Sequence, residues 1–186
     1  DVYKRQSTLF SLLNEKDGQT RGFDAGIAQL LSNYILGENK VEITQVTSDT
    51  RESVLQNGQV DAVFATYTIT DERKQSVDFS DAYAMAQLAI LANADSGVTS
   101  IDDLNQPGKK VAVKTGSTGD VYATKNLTDA EIVRLADESA CVTEVVQGKA
   151  DGFLYDQLTI YRNHQANPDT TEAVFIPFQD AEEWGI

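Results

Sequence analysis

The feature that most constrains the fold is the regular alternation of short apolar runs with amphipathic segments. Val60–Ala65 is a nearly continuous apolar run that follows a helix-like segment, which is typical of a buried parallel strand. Strands that alternate with helices of about ten residues favour an α/β architecture with mainly parallel pairing. With 186 residues, 41% of them hydrophobic, the chain can bury a core as one domain or as two small lobes.

Apolar spacing and punctuating glycines predict the individual elements. Phe23 and the apolar residues that follow it at helical spacing indicate an amphipathic helix over Asp24–Leu36 that packs against a sheet and ends at Gly37. Tyr83–Ala94 is a further long apolar segment. The other predicted helices are 50–57, 120–126, 139–147 with Ser139 as its cap, and 156–163; the predicted strands are 41–45, 60–65, 110–114, 131–135, 151–155 and 174–178.

The charge balance excludes several classes of partner. The chain has 15 basic and 29 acidic residues and a net charge of −14, which repels nucleic acid and anionic lipid, so we expect no nucleic-acid partner. An anion must therefore be held by local geometry. No apolar run approaches the roughly 20 residues that a membrane span needs. Cys141 is the single cysteine, so no internal disulfide is possible.

Familiar catalytic signals are incomplete in this sequence. Lys114-Thr115-Gly116 matches the KTG of penicillin-recognising enzymes, but no S-x-x-K supplies their nucleophile. The loop 114–119 has neither P-loop nor G-x-G-x-x-G spacing. His164 is the only histidine and lies in a polar run, and no acidic group follows a calcium-loop pattern. We therefore predict no enzyme activity, no cofactor and no metal.

The stretch Ala65–Asp81, ATYTITDERKQSVDFSD, combines the end of a strand with the start of a helix. Thr70 or Asp71 can cap the free amides of a first helical turn, and Arg73 lies at that turn. Two interpretations are open for Arg73. It is either a solvated surface charge or a cation that faces a cleft.

Several groups in the predicted loops suit a zwitterionic ligand. Arg73 offers a planar fork that can bind a carboxylate with two hydrogen bonds, and Ser117–Gly119 present backbone amides at a helix N-terminus. Asp156 follows a predicted strand and can accept from an ammonium group, with the carbonyl of Thr66 as a second acceptor. The alternative for Ser117 and Asp156 is that each simply caps its helix.

These residues lie within long segments that resemble the amino-acid-binding proteins of bacterial ABC importers, especially those for glutamine, glutamate and aspartate. The resemblance covers nearly the whole chain and favours the ligand-binding interpretation of Arg73. It runs from GFDAGIAQLL at Gly22, through VTSDTRESVLQNGQVDAVFATYTITDERKQSVDFSDAY and VTSIDDLNQPGKKVAVKTGSTGDVYA, to VVQGKADGFLYDQ, which ends at Gln157.

The resemblance implies a two-lobe, hinged fold of the periplasmic-binding-protein type that closes over one amino acid and delivers it to a membrane permease. By position, Arg73 and Thr68 would bind the α-carboxylate, with the amide of Thr118 as a further donor. Asp156 and the carbonyl of Thr66 would hold the α-ammonium.

Three further positions bear on ligand choice in the resemblance. Arg51 matches a position that contacts a side-chain carboxylate in some glutamate- and aspartate-binding members, and the alternative is a surface arginine on a short helix. Phe10 is the candidate for the aromatic residue that stacks on the ligand. Ser48 stands where glutamine binders carry Phe, which weakens a glutamine assignment.

The resemblance also predicts organisation and location. We expect a first lobe at 7–91, a second lobe at 95–182 and the start of a second hinge strand at 183–186, with the rest of the first lobe absent and stability reduced as a result. We expect a periplasmic or extracellular monomer whose partners are a free amino acid and permease subunits; lipid anchoring stays open. The alternatives are a ligand-sensing input domain and a dehydratase-like enzyme on the same fold.

Overall fold

The computed structural model describes residues 2–3, 10–14 and 16–186. Two compact units divide the chain: unit 1 runs to Met85 and includes Glu183–Ile186, and unit 2 is Ala86–Glu182. The sequence-based boundaries differ because they assign the strand Leu88–Asn93 largely to the first lobe, whereas it lies in unit 2. Positions 7–9 of the predicted first lobe lie outside the described residues.

The elements are numbered in chain order. The helices are α1 Phe23–Leu36, α2 Arg51–Gln56, α3 Ile101–Leu104, α4 Thr118–Asn126, α5 Glu138–Val146 and α6 Gln157–Ala166, with a 3-10 turn at Arg73–Gln75. The strands are β1 Val2–Tyr3, β2 Leu12–Leu13, β3 Thr20–Arg21, β4 Thr44–Gln45, β5 Tyr67–Thr68, β6 Ala84–Ala86, β7 Leu88–Asn93, β8 Lys110–Lys114, β9 Glu131–Leu135, β10 Gly152–Asp156, β11 Thr171–Val174 and β12 Glu182–Gly185. None of the helices in the described ranges is long and apolar enough to cross a membrane.

Unit 1 is built from short strands. β1 pairs in parallel with β4, and β2 and β3 form an antiparallel pair. β12 lies between β5 and β6, with Trp184 opposite Thr68. One buried apolar cluster supports these strands, and its members are Val46, Val60, Val63, Ala65, Tyr67 and Val77.

Helix α1 confirms the predicted span, but its apolar residues are largely uncovered. Gly37 ends the helix with φ 74°, a left-handed conformation that glycine adopts without a Cβ penalty. Only Asp24 and Ala25 of α1 are buried, whereas Leu30 and Tyr34 are exposed. The apolar face of α1 is thus covered only in part, since helical spacing predicts an apolar face but not what covers it.

The predicted strand 60–65 is largely buried but is not a strand. Val60, Val63 and Ala65 belong to the core of unit 1, yet the strand begins only at Tyr67. Thr66 interrupts the extended direction with φ 46°. A continuous apolar run predicts burial, and it cannot by itself predict strand pairing.

Unit 2 confirms the predicted α/β fold class. Its five strands follow the order β11-β7-β10-β8-β9, in which β9, β8 and β10 are parallel and β7 and β11 are antiparallel to their neighbours. Helices cover both faces and produce two buried clusters, one around Phe153 and Cys141 and one around Leu104 and Leu154. The parallel centre places the ends of β8 and β10 at one edge of the sheet.

Several unit 2 elements match the prediction and two differ. The strands 110–114 and 131–135 are found with the predicted bounds. Helix α5 is capped by Asp137, whose carboxylate accepts from the amide of Ala140 at 2.8 Å, so the predicted cap Ser139 is wrong. The last strand of unit 2 is 171–174 instead of 174–178.

Candidate functional site

Arg73 of unit 1 is buried, with 9% of its surface exposed. Its backbone amide donates to Thr70 Oγ1 at 3.2 Å, but the predicted helix is only a single 3-10 turn, and Glu72 instead of Thr70 or Asp71 directly precedes it. Its Nη1 donates to the carbonyl of Thr68 at 2.7 Å, and its Nε lies 3.9 Å from Glu52 Oε1. The turn and the β5 carbonyl thus fix a buried guanidinium, and the surface-charge interpretation is wrong.

Arg51 is also buried, with 3% exposed, so it is not the surface arginine of the alternative interpretation. Its guanidinium carbon lies 3.8 Å from the centre of the Tyr67 ring, and that of Arg73 lies 4.9 Å from the same ring. The Tyr67 hydroxyl donates to Glu52 Oε1 at 2.7 Å. Burial and this carboxylate raise the pKa of Tyr67, so the phenol stays neutral beside two cations.

Thr68 and Thr66 flank the same tyrosine. Thr68 is buried in β5, where its carbonyl orients Arg73. The backbone amide of Thr66 donates to Asp24 Oδ2 at 3.2 Å. One short segment of unit 1 therefore carries the residues predicted to bind the ligand carboxylate and the carbonyl predicted to accept from its ammonium group.

Phe10 lies in an aromatic cluster. It is buried, and its ring meets Trp184 edge-to-face at 5.1 Å and Phe23 at 6.5 Å. Edge-to-face packing of this kind stabilises a core. The sequence pattern had not indicated the contact between Phe10 and Trp184.

In unit 2 the loop before α4 carries the predicted amide donors. Ser117 is buried and caps α4, since its side chain accepts from the amide of Asp120 at 3.2 Å. Thr118 Oγ1 donates to Glu182 Oε2 at 2.9 Å. Gly119 packs so closely that a Cβ there would overlap the carbonyl of Leu154. The helix start is thereby held against β10.

Asp156 is the last residue of β10 and the cap of α6. It is buried, and its Oδ1 accepts from the amide of Thr159 at 2.9 Å. The capping interpretations of Ser117 and Asp156 are thus both confirmed, and they leave each residue at the start of a helix that follows a parallel strand. Lys114, buried at the end of β8, is a cation at the same edge of the sheet that sequence reasoning missed.

Two further groups with reactive side chains, Cys141 and His164, lie in unit 2. Burial raises the pKa of the Cys141 thiol to about 12, which makes it a poor nucleophile at neutral pH. His164 Nδ1 lies 3.1 Å from the carbonyl of Thr171, a contact within unit 2. Within the ranges that the structure describes, no group of three or more His, Cys, Asp or Glu residues is placed to hold a metal ion.

Comparisons with known proteins give a consistent picture. Residues 3–174 match the family "Bacterial extracellular solute-binding proteins, family 3". The chain is 36% identical over 167 residues to a glutamine-binding protein of Geobacillus stearothermophilus, covering 89% of this chain and 63% of the relative. It is 36% identical over 184 residues to the ABC transporter glutamine-binding protein GlnH of Bacillus subtilis (strain 168), covering 98% of this chain and 66% of the relative. The chain thus spans slightly less than two thirds of the length of these relatives.

A solved structure is similar over almost the whole chain. The ancestral amino acid-binding protein AncCDT-1, a precursor of cyclohexadienyl dehydratase, superposes with a TM-score of 0.86 at 34% identity. The similarity covers 99% of this chain and 78% of that one.

Proposed function

The chain belongs to the bacterial extracellular solute-binding proteins, family 3, and on that premise we propose that it binds a polar amino acid and delivers it to the permease of an ABC transporter. Glutamine, glutamate and aspartate are the candidate ligands. The two similar glutamine-binding proteins support this choice of class. The proposal includes a periplasmic or extracellular location and action as a monomer.

The observation that carries the proposal is the buried guanidinium of Arg73. Burial of a cation is costly unless an anion or oriented dipoles stabilise it, and here the carbonyl of Thr68 accepts from Nη1 at 2.7 Å while Glu52 Oε1 lies 3.9 Å from Nε. A planar guanidinium matches the two oxygens of an α-carboxylate. We therefore assign the ligand carboxylate to Arg73, with Thr68 as a second donor.

Further groups belong to the proposed ligand set, and each is described within its own unit. In unit 1, the carbonyl of Thr66 accepts from the α-ammonium and Phe10 supplies aromatic surface. In unit 2, Ser117 and Thr118 present the amides at the start of α4, and Asp156 supplies a carboxylate for the ammonium. The unit 2 groups lie at the starts of helices that Ser117 and Asp156 cap.

Arg51 is proposed to select acidic side chains. Its burial beside Tyr67 places a second cation near Arg73 in space, which suits a dicarboxylate better than a neutral ligand. Arg51→Ala should therefore weaken the binding of L-glutamate and L-aspartate more than the binding of L-glutamine. Equal losses for all three ligands would assign Arg51 to structure alone.

Calorimetric titration with a panel of L-glutamine, L-glutamate, L-aspartate, L-arginine and L-leucine tests the proposal. We expect at least one of the three polar candidates to bind and L-leucine not to bind. Arg73→Ala should lower the affinity for that ligand by about 100-fold or more, because a charge-assisted contact with two donors is lost. Arg21→Ala is the matched control, since Arg21 is an exposed arginine of unit 1 that pairs with Asp17. Absence of binding across the panel would defeat the proposal.

Binding without chemistry is part of the same proposal. The similar proteins are named as binding proteins, although one of them is a precursor of a dehydratase. After prolonged incubation, we expect the nuclear magnetic resonance spectrum of the bound amino acid to be unchanged. Appearance of a dehydrated product would favour the enzyme alternative.

A further inference from the structure

Thr66 adopts an unusual backbone conformation. Its φ is 46°, and among the described residues 2–3, 10–14 and 16–186 it is the one non-glycine residue with positive φ. The left-handed region costs an L-residue roughly 1–2 kcal/mol, and a β-branched side chain is especially rare there. Surrounding contacts must therefore hold Thr66 in place.

The amide of Thr66 is held by a buried carboxylate. Asp24 is 1% exposed, and its Oδ2 accepts from the Thr66 amide at 3.2 Å. Its Oδ1 accepts from the hydroxyl of Tyr83 at 3.0 Å. Burial, followed by the charge of Asp24, raises the pKa of Tyr83, so the phenol remains a donor at neutral pH. Each carboxylate oxygen of Asp24 thus has a fixed donor.

The carboxylate is itself anchored to the start of α1. Asp24 lies in the first turn of that helix, where a negative charge is favourable, and its backbone amide donates to the carbonyl of Phe10 at 2.9 Å. Forty-two residues separate Asp24 from Thr66 in sequence. The contact therefore fixes the backbone at Thr66 to helix α1, which is distant from it in sequence.

The other polar atom of the same peptide group is also held. The carbonyl of Ala65 accepts from Arg51 Nη1 at 3.4 Å, and the Arg51 guanidinium lies over Tyr67. The peptide that joins Ala65 to Thr66 therefore contacts a buried anion through its N–H and a buried cation through its C=O. Two contacts of opposite charge define the orientation of that peptide plane.

We propose that Asp24 is a positioning residue that holds Thr66 in its left-handed conformation and thereby directs the Thr66 carbonyl to the α-ammonium of the ligand. This inference rests on the proposed function for the ligand, but the backbone effect stands on unit 1 alone. Asp24 does not touch the ligand in this proposal; it acts through the Thr66 backbone.

A double-variant cycle tests the backbone effect. Asp24→Ala should lower the urea midpoint of unfolding, and the loss should be markedly smaller in a Thr66→Gly background, because glycine adopts positive φ without a steric cost. A crystal structure of Asp24→Ala should show Thr66 at negative φ. Losses that add without coupling, or a Thr66 φ that remains positive, would overturn the inference. If the double variant Asp24→Ala, Thr66→Gly is no more stable than Asp24→Ala alone, the inference is also overturned.

A matched pair of ligands tests the effect on recognition. The probes are L-glutamine with glutaramic acid, which lacks the α-amino group, and L-glutamate with glutarate, which differs in the same way; the pair whose amino acid the wild type binds more tightly is used. Asp24→Ala should lower the affinity for the amino acid about tenfold or more. It should change the affinity for the analogue by no more than about twofold. Asp17→Ala, an exposed aspartate of the same unit, is the control and should change neither.

The two possible failures are distinguishable. If the wild type binds no amino acid of the panel, the proposed function fails and the ammonium role of Thr66 fails with it. If the wild type binds and Asp24→Ala keeps the full preference for the amino acid over its analogue, the positioning inference alone fails. Equal weakening of both probes would assign Asp24 to general stability and would also overturn the inference.

Discussion

Two glycines show how local space decides the effect of one methyl group. Gly119 lies in the first turn of α4, and a Cβ there would overlap the backbone carbonyl of Leu154, which cannot move without shifting β10. Gly26 lies inside α1 with open space around its Cβ position. The same substitution should therefore have opposite effects at the two sites.

We expect Gly119→Ala to destabilise the protein by about 1–3 kcal/mol, because a packed backbone must move. Gly26→Ala should stabilise it by up to about 1 kcal/mol, because alanine has the higher helix propensity and lower entropy when unfolded. Urea unfolding of both variants measures the difference. A stabilising Gly119→Ala would show that α4 is not held against β10.

Cys141 provides a residue-scale prediction for alkaline pH. Burial raises its folded pKa to about 12 from an ordinary 9.0, so the unfolded state ionises first as pH rises. The stabilising contribution of the neutral thiol is thus complete below pH 9 and is lost progressively between pH 9 and pH 12. Between pH 8 and pH 10 the wild type should lose about 1.4 kcal/mol more stability than Cys141→Ala, as urea titrations at fixed pH would measure. Parallel pH profiles of the two proteins would contradict this expectation.

At the scale of elements, caps decide where helices begin. Asp137 caps α5 through the amide of Ala140, and that bond, followed by the Ser139 hydroxyl, lowers the pKa of Asp137. Asp137→Ala should lower the free energy of unfolding by about 1 kcal/mol at pH 7. Ser139→Ala should lower it less, because the Ser139 hydroxyl only donates to the Asp137 carboxylate.

The pH dependence of the cap follows from the lowered pKa. The charged carboxylate stabilises the folded state above its ordinary pKa of 3.8, and this contribution is lost as pH falls through the lower folded value. The stability difference between wild type and Asp137→Ala should therefore shrink below about pH 4. A difference that stays constant from pH 7 to pH 3 would show that the carboxylate charge does not matter.

Elements of unit 2 were more predictable than those of unit 1, for a physical reason. The strands 110–114 and 131–135 alternate with helices whose apolar faces they bury, so local pattern and packing agree. In unit 1, residues 60–65 have the composition of a strand but are largely buried without being one, because Thr66 turns the chain. Such a turn depends on Asp24, which local pattern cannot reveal.

The sequence suggests residue types for a candidate site, but it does not reveal the contacts that hold those residues in place. The DER sequence and the loop at Ser117 mark helix entrances, which is why Arg73 and Ser117 could be selected from sequence. Their burial, and the sharing of Tyr67 by two arginines, depend on contacts between distant segments. The GFD sequence at α1 was visible, but its aspartate carried no sign that its partner lies 42 residues away.

At the scale of the whole molecule, the chain carries one intrinsic probe in each unit. Trp184, the single tryptophan, is buried in unit 1, and Cys141, the single cysteine, is buried in unit 2. Tryptophan fluorescence therefore follows unit 1, and labelling of the thiol follows unit 2. The two can be measured in the same urea series without adding a reporter.

We expect the two probes to give different urea midpoints, with unit 1 unfolding first. Unit 2 is one continuous segment with a five-stranded sheet and two buried clusters. Unit 1 has strands of two to four residues, one buried cluster and a helix α1 whose Leu30 and Tyr34 are 69% and 89% exposed, so it buries less apolar surface. The fluorescence change should precede the labelling of Cys141, and a fragment of residues 86–182 should keep the same labelling midpoint as the full chain. Coincident transitions in the full chain, together with an unfolded fragment, would mean that the two units fold as one cooperative body.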